Sequence, residues 1–255
     1  MAQSQKTARQ HLGMTQLGLA TVIIAMASVY WSSAFAGTFS VTPVRIYMSP
    51  KDRAVAITIT NDGDEELVMQ ADLYDWKQKP DGQDDLKLTE DMFLSPPIIK
   101  MAPKSRQVVR LARLIPVQSA NQITYRMIVR EIPEAKPPTE NIQIQLALAF
   151  SMPVFITPPG AKPKLGCTVE RVAANSVNAV CENTGNAYSH PVSLLLNSAA
   201  GEKIADNPTA GYILPGIKRS FSIRREGSAI PAGAAKLAVT LDDGTTETYA
   251  ITIAE

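Results

Sequence analysis

Glu140–Pro158 reads ENIQIQLALAFSMPVFITP, and after Glu140 no charged residue appears until Lys162. Ile142, Ile144, Leu146, Leu148 and Phe150 alternate with Gln143, Gln145, Ala147 and Ala149, a period of two that predicts a β-strand. Strands usually run about five or six residues, yet this stretch is about three times as long and holds Pro153, which has no N–H to give to a ladder. A central core strand is the ordinary reading of such an apolar run. Against it, Pro153 points to an edge or a bulge, and Gln143 and Gln145 point to a face that is not simply core. An edge without Lys or Glu is an aggregation template unless another chain is meant to pair there.

Outward from this stretch, short alternating runs continue in both directions, separated by turn chemistry, with no helical period longer than two turns. The fold class is all-β. Upstream strands are expected at Phe39–Tyr47, Ala54–Thr60, Leu67–Trp76, Leu86–Leu88, Arg106–Leu114 and Ile123–Glu131. Asn61-Asp62-Gly63-Asp64 and Pro80-Asp81-Gly82 are turns, and Ser95-Pro96-Pro97 cannot continue a central strand. With the long stretch that makes seven strands, an immunoglobulin-like sandwich over residues 37–158 without antibody-type Cys-Trp-Cys spacing. Pro158-Pro159-Gly160-Ala161-Lys162-Pro163 is a stiff link and a boundary. A second, smaller β-sandwich is expected over 159–255, with strands at Val192–Leu196, Tyr212–Leu214, Arg219–Arg224, Ala235–Leu241 and Glu247–Ile253 and a turn at Asp242-Asp243-Gly244.

The first 36 residues form a separate unit. Lys6 and Arg9 precede an apolar run, Leu17–Tyr30, and Ser33-Ala34-Phe35-Ala36 supplies a small-residue cleavage site; this is the pattern of a secretory signal peptide. A permanent membrane anchor fits less well, because a spanning helix needs about 20 apolar residues and Gly18 and Ser28 interrupt this run. Taking Lys6 and Arg9 from 25 basic residues leaves 23 against 24 acidic, so nothing steers the exported chain to nucleic acid, and no basic run with interleaved aromatics is present. Export also favours pairing of Cys167 with Cys181, the only two cysteines. The segment CTVERVAANSVNAVC alternates on either side of Ala174, so a hairpin there sets the two sulfurs opposite each other.

Little in the chain points to catalysis. Beyond residue 36 the one histidine is His190, just before Pro191, and it reads as a surface or satisfied turn histidine, with no nucleophile elbow or metal motif around it. One His and two disulfide-bonded Cys do not make a zinc site. The acidic clusters Asp62, Asp64, Glu65, Glu66 and Asp81, Asp84, Asp85 lack EF-hand spacing and read as turn residues. No cofactor and no metal is expected, and an enzyme ranks below a binding protein.

Tyr125-Arg126-Met127-Ile128-Val129-Arg130-Glu131-Ile132-Pro133, a short loop, and then the alternating stretch ending Phe155-Ile156-Thr157-Pro158 resemble the F and G strands of the PapD-like periplasmic chaperones of pilus assembly. Tyr74-Asp75-Trp76-Lys77-Gln78, Asp81-Gly82, Leu86, Thr89, Ser95-Pro96-Pro97 and Gln107-Val108-Val109-Arg110-Leu111 are similar to the archaic, spore-coat-U-type branch. The resemblance spans nearly the whole chain after residue 36. It implies a non-enzymatic periplasmic chaperone that donates its G strand to an incomplete pilus subunit and passes the subunit to an outer-membrane usher. Ile142, Ile144, Leu146, Leu148 and Phe150 would fill the subunit's groove, and self-association is a possible cover for the free edge. The family also holds the subunit's terminal carboxylate between an Arg of the first strand, here Arg45, and a Lys late in the G strand. That lysine position falls at or beside Pro153, which leaves Arg110, Arg130 or Lys164 as substitutes. The alternative reading is a secreted structural sandwich or a pilus component, which for a pilin would carry an incomplete sandwich and a free N-terminal extension.

Overall fold

Prolines mark two of the places where the chain changes sheet. The computed structural model describes residues 39–114, 116, 119–133, 147–208 and 211–255. In chain order the strands are β1 (Phe39–Thr42), β2 (Ile46–Met48), β3 (Ala54–Asn61), β4 (Leu67–Gln78), β5 (Asp84–Leu88), β6 (Met92–Ser95), β7 (Ile98–Met101), β8 (Arg106–Arg113), β9 (Ile123–Glu131) and β10 (Ala149–Ile156). One sheet runs β1-β3-β8-β6 and the other β2-β10-β9-β4-β5, with β7 also on β4. The chain leaves the first sheet for the second at Pro43, between β1 and β2, and again at Pro96-Pro97, between β6 and β7. A residue without an N–H cannot carry a ladder onward, so each crossing sits where pairing must stop. The run expected as one strand, Phe39–Tyr47, is therefore two.

Alternation then builds the core. Leu67, Met69, Ala71 and Leu73 of β4, Tyr125, Met127 and Val129 of β9, and Met152, Val154 and Ile156 of β10 face Ile57, Ile59, Val109 and Leu111 of the opposite sheet. At about 25 cal/mol per Å² of apolar surface removed from water, this interior is the main stabilising contribution to the first sandwich.

The remaining strands are β11 (Leu165–Ala173), β12 (Ser176–Asn183), β13 (Pro191–Ser198), β14 (Lys203–Asn207), β15 (Lys218–Arg224), β16 (Gly233–Leu241) and β17 (Thr246–Ile253). They follow the path β11-β12-β15-β14-β13-β16-β17 around a core that includes Val177, Leu194, Leu196, Ile223, Leu237 and Val239. The path folds back on itself: the Tyr249 hydroxyl of β17 donates to Leu165 O of β11 at 3.1 Å. The hairpin of β11 and β12 turns at Ala174-Asn175, and Cys167 and Cys181 stand directly opposite and are disulfide-bonded.

Some expected strands differ. Tyr212–Leu214 forms no strand but an isolated bridge, Ile213 to Ser189. Strands β6, β7 and β14 carry too few alternating residues to stand out beside turn-rich neighbours. Ile142, Ile144 and Leu146, like the segment 1–36 expected as a signal peptide, lie outside the described residues.

Candidate partner-binding edge and interdomain cleft

Strand β10 has two halves. The N–H of Glu131 donates to Leu148 O at 2.9 Å, so along this antiparallel pair the even residues of β10 turn their backbone groups toward β9 and the odd residues turn theirs away. On that outer side β2 runs parallel to β10 only from Val154 to Ile156, and Thr157 N–H donates to Met48 O at 2.8 Å. Among the described residues no strand covers the outer edge at Ala149 and Ser151. Pro153 closes the open part, at the last position before β2 takes over. Its reading as an edge residue thus holds for the first half of the strand, while the second half is internal.

Side chains divide in the same way. Met152, Val154 and Ile156 are buried in the core. Leu148 and Phe150, in the same phase, are each 37% exposed, and Phe150 rests edge-on against Phe39 at 4.8 Å. The apolar row therefore runs out of the sandwich core toward the open end of the strand.

Toward its C-terminal end, β10 also meets the second sandwich through Phe155. Phe155 is fully buried there with Trp76 and Leu214, and its ring stacks on Tyr188 at 4.1 Å. Gln78, at the end of β4, donates through Nε2 to Tyr212 O at 3.0 Å and accepts from Leu214 N–H at 2.9 Å. Gln122 likewise donates to the Thr157 hydroxyl at 2.7 Å and accepts from Tyr188 N–H at 2.9 Å. The connector is tied down as well: fully buried Asn183 accepts from Lys164 N–H at 3.1 Å. A Cβ on Gly185 would lie 2.4 Å from Lys162 O, so only glycine admits the connector so closely.

Charge collects in the cleft that remains. Arg45 pairs with Asp242 of the β16–β17 turn, and His190 Nδ1 lies 3.3 Å from the same carboxylate oxygen and 3.4 Å from Arg45 Nη2. The His190 ring stacks on Tyr212 at 3.8 Å. His190 is thus a satisfied cleft residue and not a surface one; burial, helped by the charges of Arg45 and Arg126 and opposed by Asp242, holds its pKa below the ordinary value. Desolvation also acts against the Arg45 charge, but Tyr47, Tyr212 and Asp242 more than offset it and raise its pKa. Beside this cluster a cleft of about 560 Å³ is lined by Tyr47, Gln122, Tyr188, His190 and Asp242.

Of the four basic residues expected at the cleft, Arg45 reaches it. Arg110 lies exposed on β8 in the other sheet. Arg130 is on β9, bonded to the Tyr74 hydroxyl at 3.0 Å and 3.3 Å from Asp72, and Lys164 is exposed in the connector. Arg126, which sequence reasoning did not single out, lies directly across from Pro153 in the β9–β10 register. Alternation already turns it away from the core residues Tyr125 and Met127, but nothing local reveals which strand position it faces. Among the described residues no group of three or more His, Cys, Asp or Glu is placed to hold a metal, and no helix is long and apolar enough to cross a membrane.

Residues 38–162 match the family of pili and flagellar-assembly chaperones, PapD N-terminal domain. These residues are a PapD-like N-terminal domain of the pilus-assembly chaperones. Members of the family are chaperones, not enzymes. No curated protein sequence matches the chain. Among solved structures, a chain of the CsuC–CsuE chaperone–tip adhesion subunit complex from the archaic Csu pili of Acinetobacter baumannii is 19% identical, with a TM-score of 0.63 over 86% of this chain and 100% of that one. A chain of the Salmonella enterica SafA pilin–SafB chaperone complex is 12% identical, with a TM-score of 0.57 over 86% and 98%. The E. coli chaperone DraB is 19% identical, with a TM-score of 0.54 over 86% and 96%. At these identities the structural likeness carries the fold: two immunoglobulin-like sandwiches in tandem.

Proposed function

We propose that this protein, after removal of residues 1–36, is a periplasmic chaperone of the archaic type that binds pilus subunits by donor-strand complementation and delivers them to an outer-membrane usher. The observation that carries this reading is the open outer edge of β10 at Ala149 and Ser151, beside an apolar row that leaves the core at Phe150 and Leu148. A subunit lacking one strand of its sandwich gains backbone partners along that edge and receives Leu148, Leu146, Ile144 and Ile142 in its groove, with Phe150 at the margin. Burying four such side chains contributes roughly 6 to 12 kcal/mol gross, reduced substantially by the costs of association and ordering. Arg45 stands in the cleft to which the paired strand leads, and its guanidinium is suited to the subunit's terminal carboxylate.

Co-expression with the small secreted β-sandwich subunits of the same cell, followed by purification of the chaperone, tests the reading. A stable one-to-one complex is expected. A soluble, folded chaperone that captures none of those subunits would overturn it.

A further inference from the structure

One carboxylate oxygen serves two partners in the cleft. Asp242 Oδ2 takes Arg45 Nη1 and lies 3.3 Å from His190 Nδ1, and the same Nδ1 lies 3.4 Å from Arg45 Nη2. An imidazole nitrogen accepts a hydrogen bond when it carries no proton and donates one when it does. His190 Nδ1 therefore accepts from Arg45 or donates to Asp242, never both. A neutral ring is compatible with the Arg45–Asp242 pair, because its Nδ1 lone pair accepts from Nη2 while Nη1 reaches the carboxylate. A protonated ring has no lone pair to offer Arg45 and sets a second positive charge against it.

The three groups belong to two bodies. Asp242 N–H donates to His190 O at 3.1 Å, so carboxylate and ring are joined within the second sandwich, where the ring also stacks on Tyr212 at 3.8 Å. Arg45 comes from the link between β1 and β2 in the first sandwich. Its side chain is 33% exposed, against 15% for Asp242 and 16% for His190. When two cations compete for one carboxylate, the one nearer to water leaves at the lower desolvation cost, and that one is Arg45.

The other groups around the ring do not relieve the competition. Arg126 of β9 bears on it as a further positive charge. Asp81, Asp84 and Arg219 share a polar cavity with it, but Asp84 is held by Trp76 and Gln78 and Arg219 donates to Tyr212 O. On the other side Asp243 lines the cleft and is occupied by Thr245. Tyr212 faces the ring, and the Tyr47 and Tyr188 hydroxyls meet at 2.8 Å across the cleft; phenols ordinarily titrate near pH 10. At neutral pH the ring is uncharged, since burial, helped by Arg45 and Arg126 and opposed by Asp242, keeps its pKa below 6.5.

We propose that His190 is a proton-operated latch: in mild acid its Nδ1 becomes a donor, takes Asp242 from Arg45, and frees Arg45 from the second sandwich. Gln78, Gln122 and the aromatic cluster still join the sandwiches, so the opening is confined to the Arg45 side of the cleft. The latch belongs to the free chain and does not depend on the chaperone reading.

NMR of the ¹⁵N-labelled protein from pH 7.5 to 4.5 tests it. The His190 ring nitrogens, assigned by their loss in His190→Phe, report the proton. The Arg45 Nη signals, assigned by their loss in Arg45→Lys, report the bridge: they are resolved while the ion pair hinders rotation of the guanidinium and merge once it is free. Both sets are expected to change with one midpoint, below pH 6.5. In His190→Phe, which keeps a ring on Tyr212, the Arg45 signals are expected to stay resolved throughout. The wild-type midpoints decide the matter even if that variant fails to fold. Arg45 signals that stay resolved after the ring is charged, or a ring that stays uncharged down to pH 4.5, overturn the latch, as does release of Arg45 at the same midpoint in folded His190→Phe.

Discussion

Leu214 N–H donates to Gln78 Oε1 across 2.9 Å, although the residues are 136 positions apart and belong to different sandwiches. The same Gln78 amide donates to Tyr212 O, so one buried side chain satisfies a backbone donor and a backbone acceptor of the second sandwich at once. The two sandwiches meet as a fixed pair because these groups have no solvent to turn to.

Replacing Gln78 with Leu should therefore do more than remove two bonds. It strands Leu214 N–H at a buried surface, at about 1 to 3 kcal/mol, and leaves Tyr212 C=O with Arg219 as its donor. The expected outcome is loss of cooperativity between the sandwiches, seen as two separate unfolding transitions in calorimetry. One unchanged transition would mean that the aromatic cluster alone couples them.

The two halves of β10 should respond differently to the same insult. Leu148→Lys places a charge on a side chain that is already partly in solvent, so the circular dichroism melt should hardly move while subunit capture is lost. Val154→Lys places it in a fully buried core position, and the first sandwich should unfold, because an unpaired buried charge costs several kcal/mol. Equal melts for both variants would contradict the division of the strand.

Loss of the Cys167–Cys181 bond should act on the second sandwich only. For a bridge across a sequence separation of 14, the chain-entropy contribution is about 3 kcal/mol. Urea denaturation of the Cys167→Ala, Cys181→Ala double variant is expected to show that loss in the second sandwich, with subunit capture retained at low denaturant because β10 is elsewhere.

Acid should loosen the cleft through His190. Burial depresses its folded-state pKa below the ordinary 6.5, so the unfolded chain binds the proton first as the pH falls. Stability is then greatest above about pH 6.5 and declines below it until the lower folded-state pKa is reached. His190→Phe, which keeps a ring on Tyr212, should flatten that part of the profile in denaturation measured from pH 7.5 to 5. A slope unchanged in the variant would assign the effect to other groups.

Much of the architecture was legible from local pattern. A period of two is set by the backbone itself, so Leu67–Trp76 and Ile123–Glu131 announce which side chains face inward without reference to any partner. Cys167 and Cys181 were legible for the same reason: they lie on one hairpin, and the turn between them fixes their register. Pro43 and Ser95-Pro96-Pro97 mark breaks, but whether a break ends the fold's use of a strand or passes it to another sheet depends on where the chain next finds a ladder. That is why Phe39–Tyr47 read as one strand and is two.

The candidate site is legible only in part. Leu148 and Phe150 carry the alternation of their stretch, and Arg45 stands out by resemblance. Arg126 does not, since its place in the cleft comes from Pro153 across the sheet, Trp76 beneath it and Tyr212 from the second sandwich, residues that lie 27, 50 and 86 positions away along the chain. The sequence by itself determined the strands, the direction each side chain takes from them and the disulfide, because these follow from neighbours a few residues apart. Only the tertiary structure decided which half of β10 stays open, which arginine lies flat over Trp76, and that a glutamine joins the two sandwiches. Those outcomes depend on register and burial between distant segments, where one hydrogen bond more or less settles which group is satisfied.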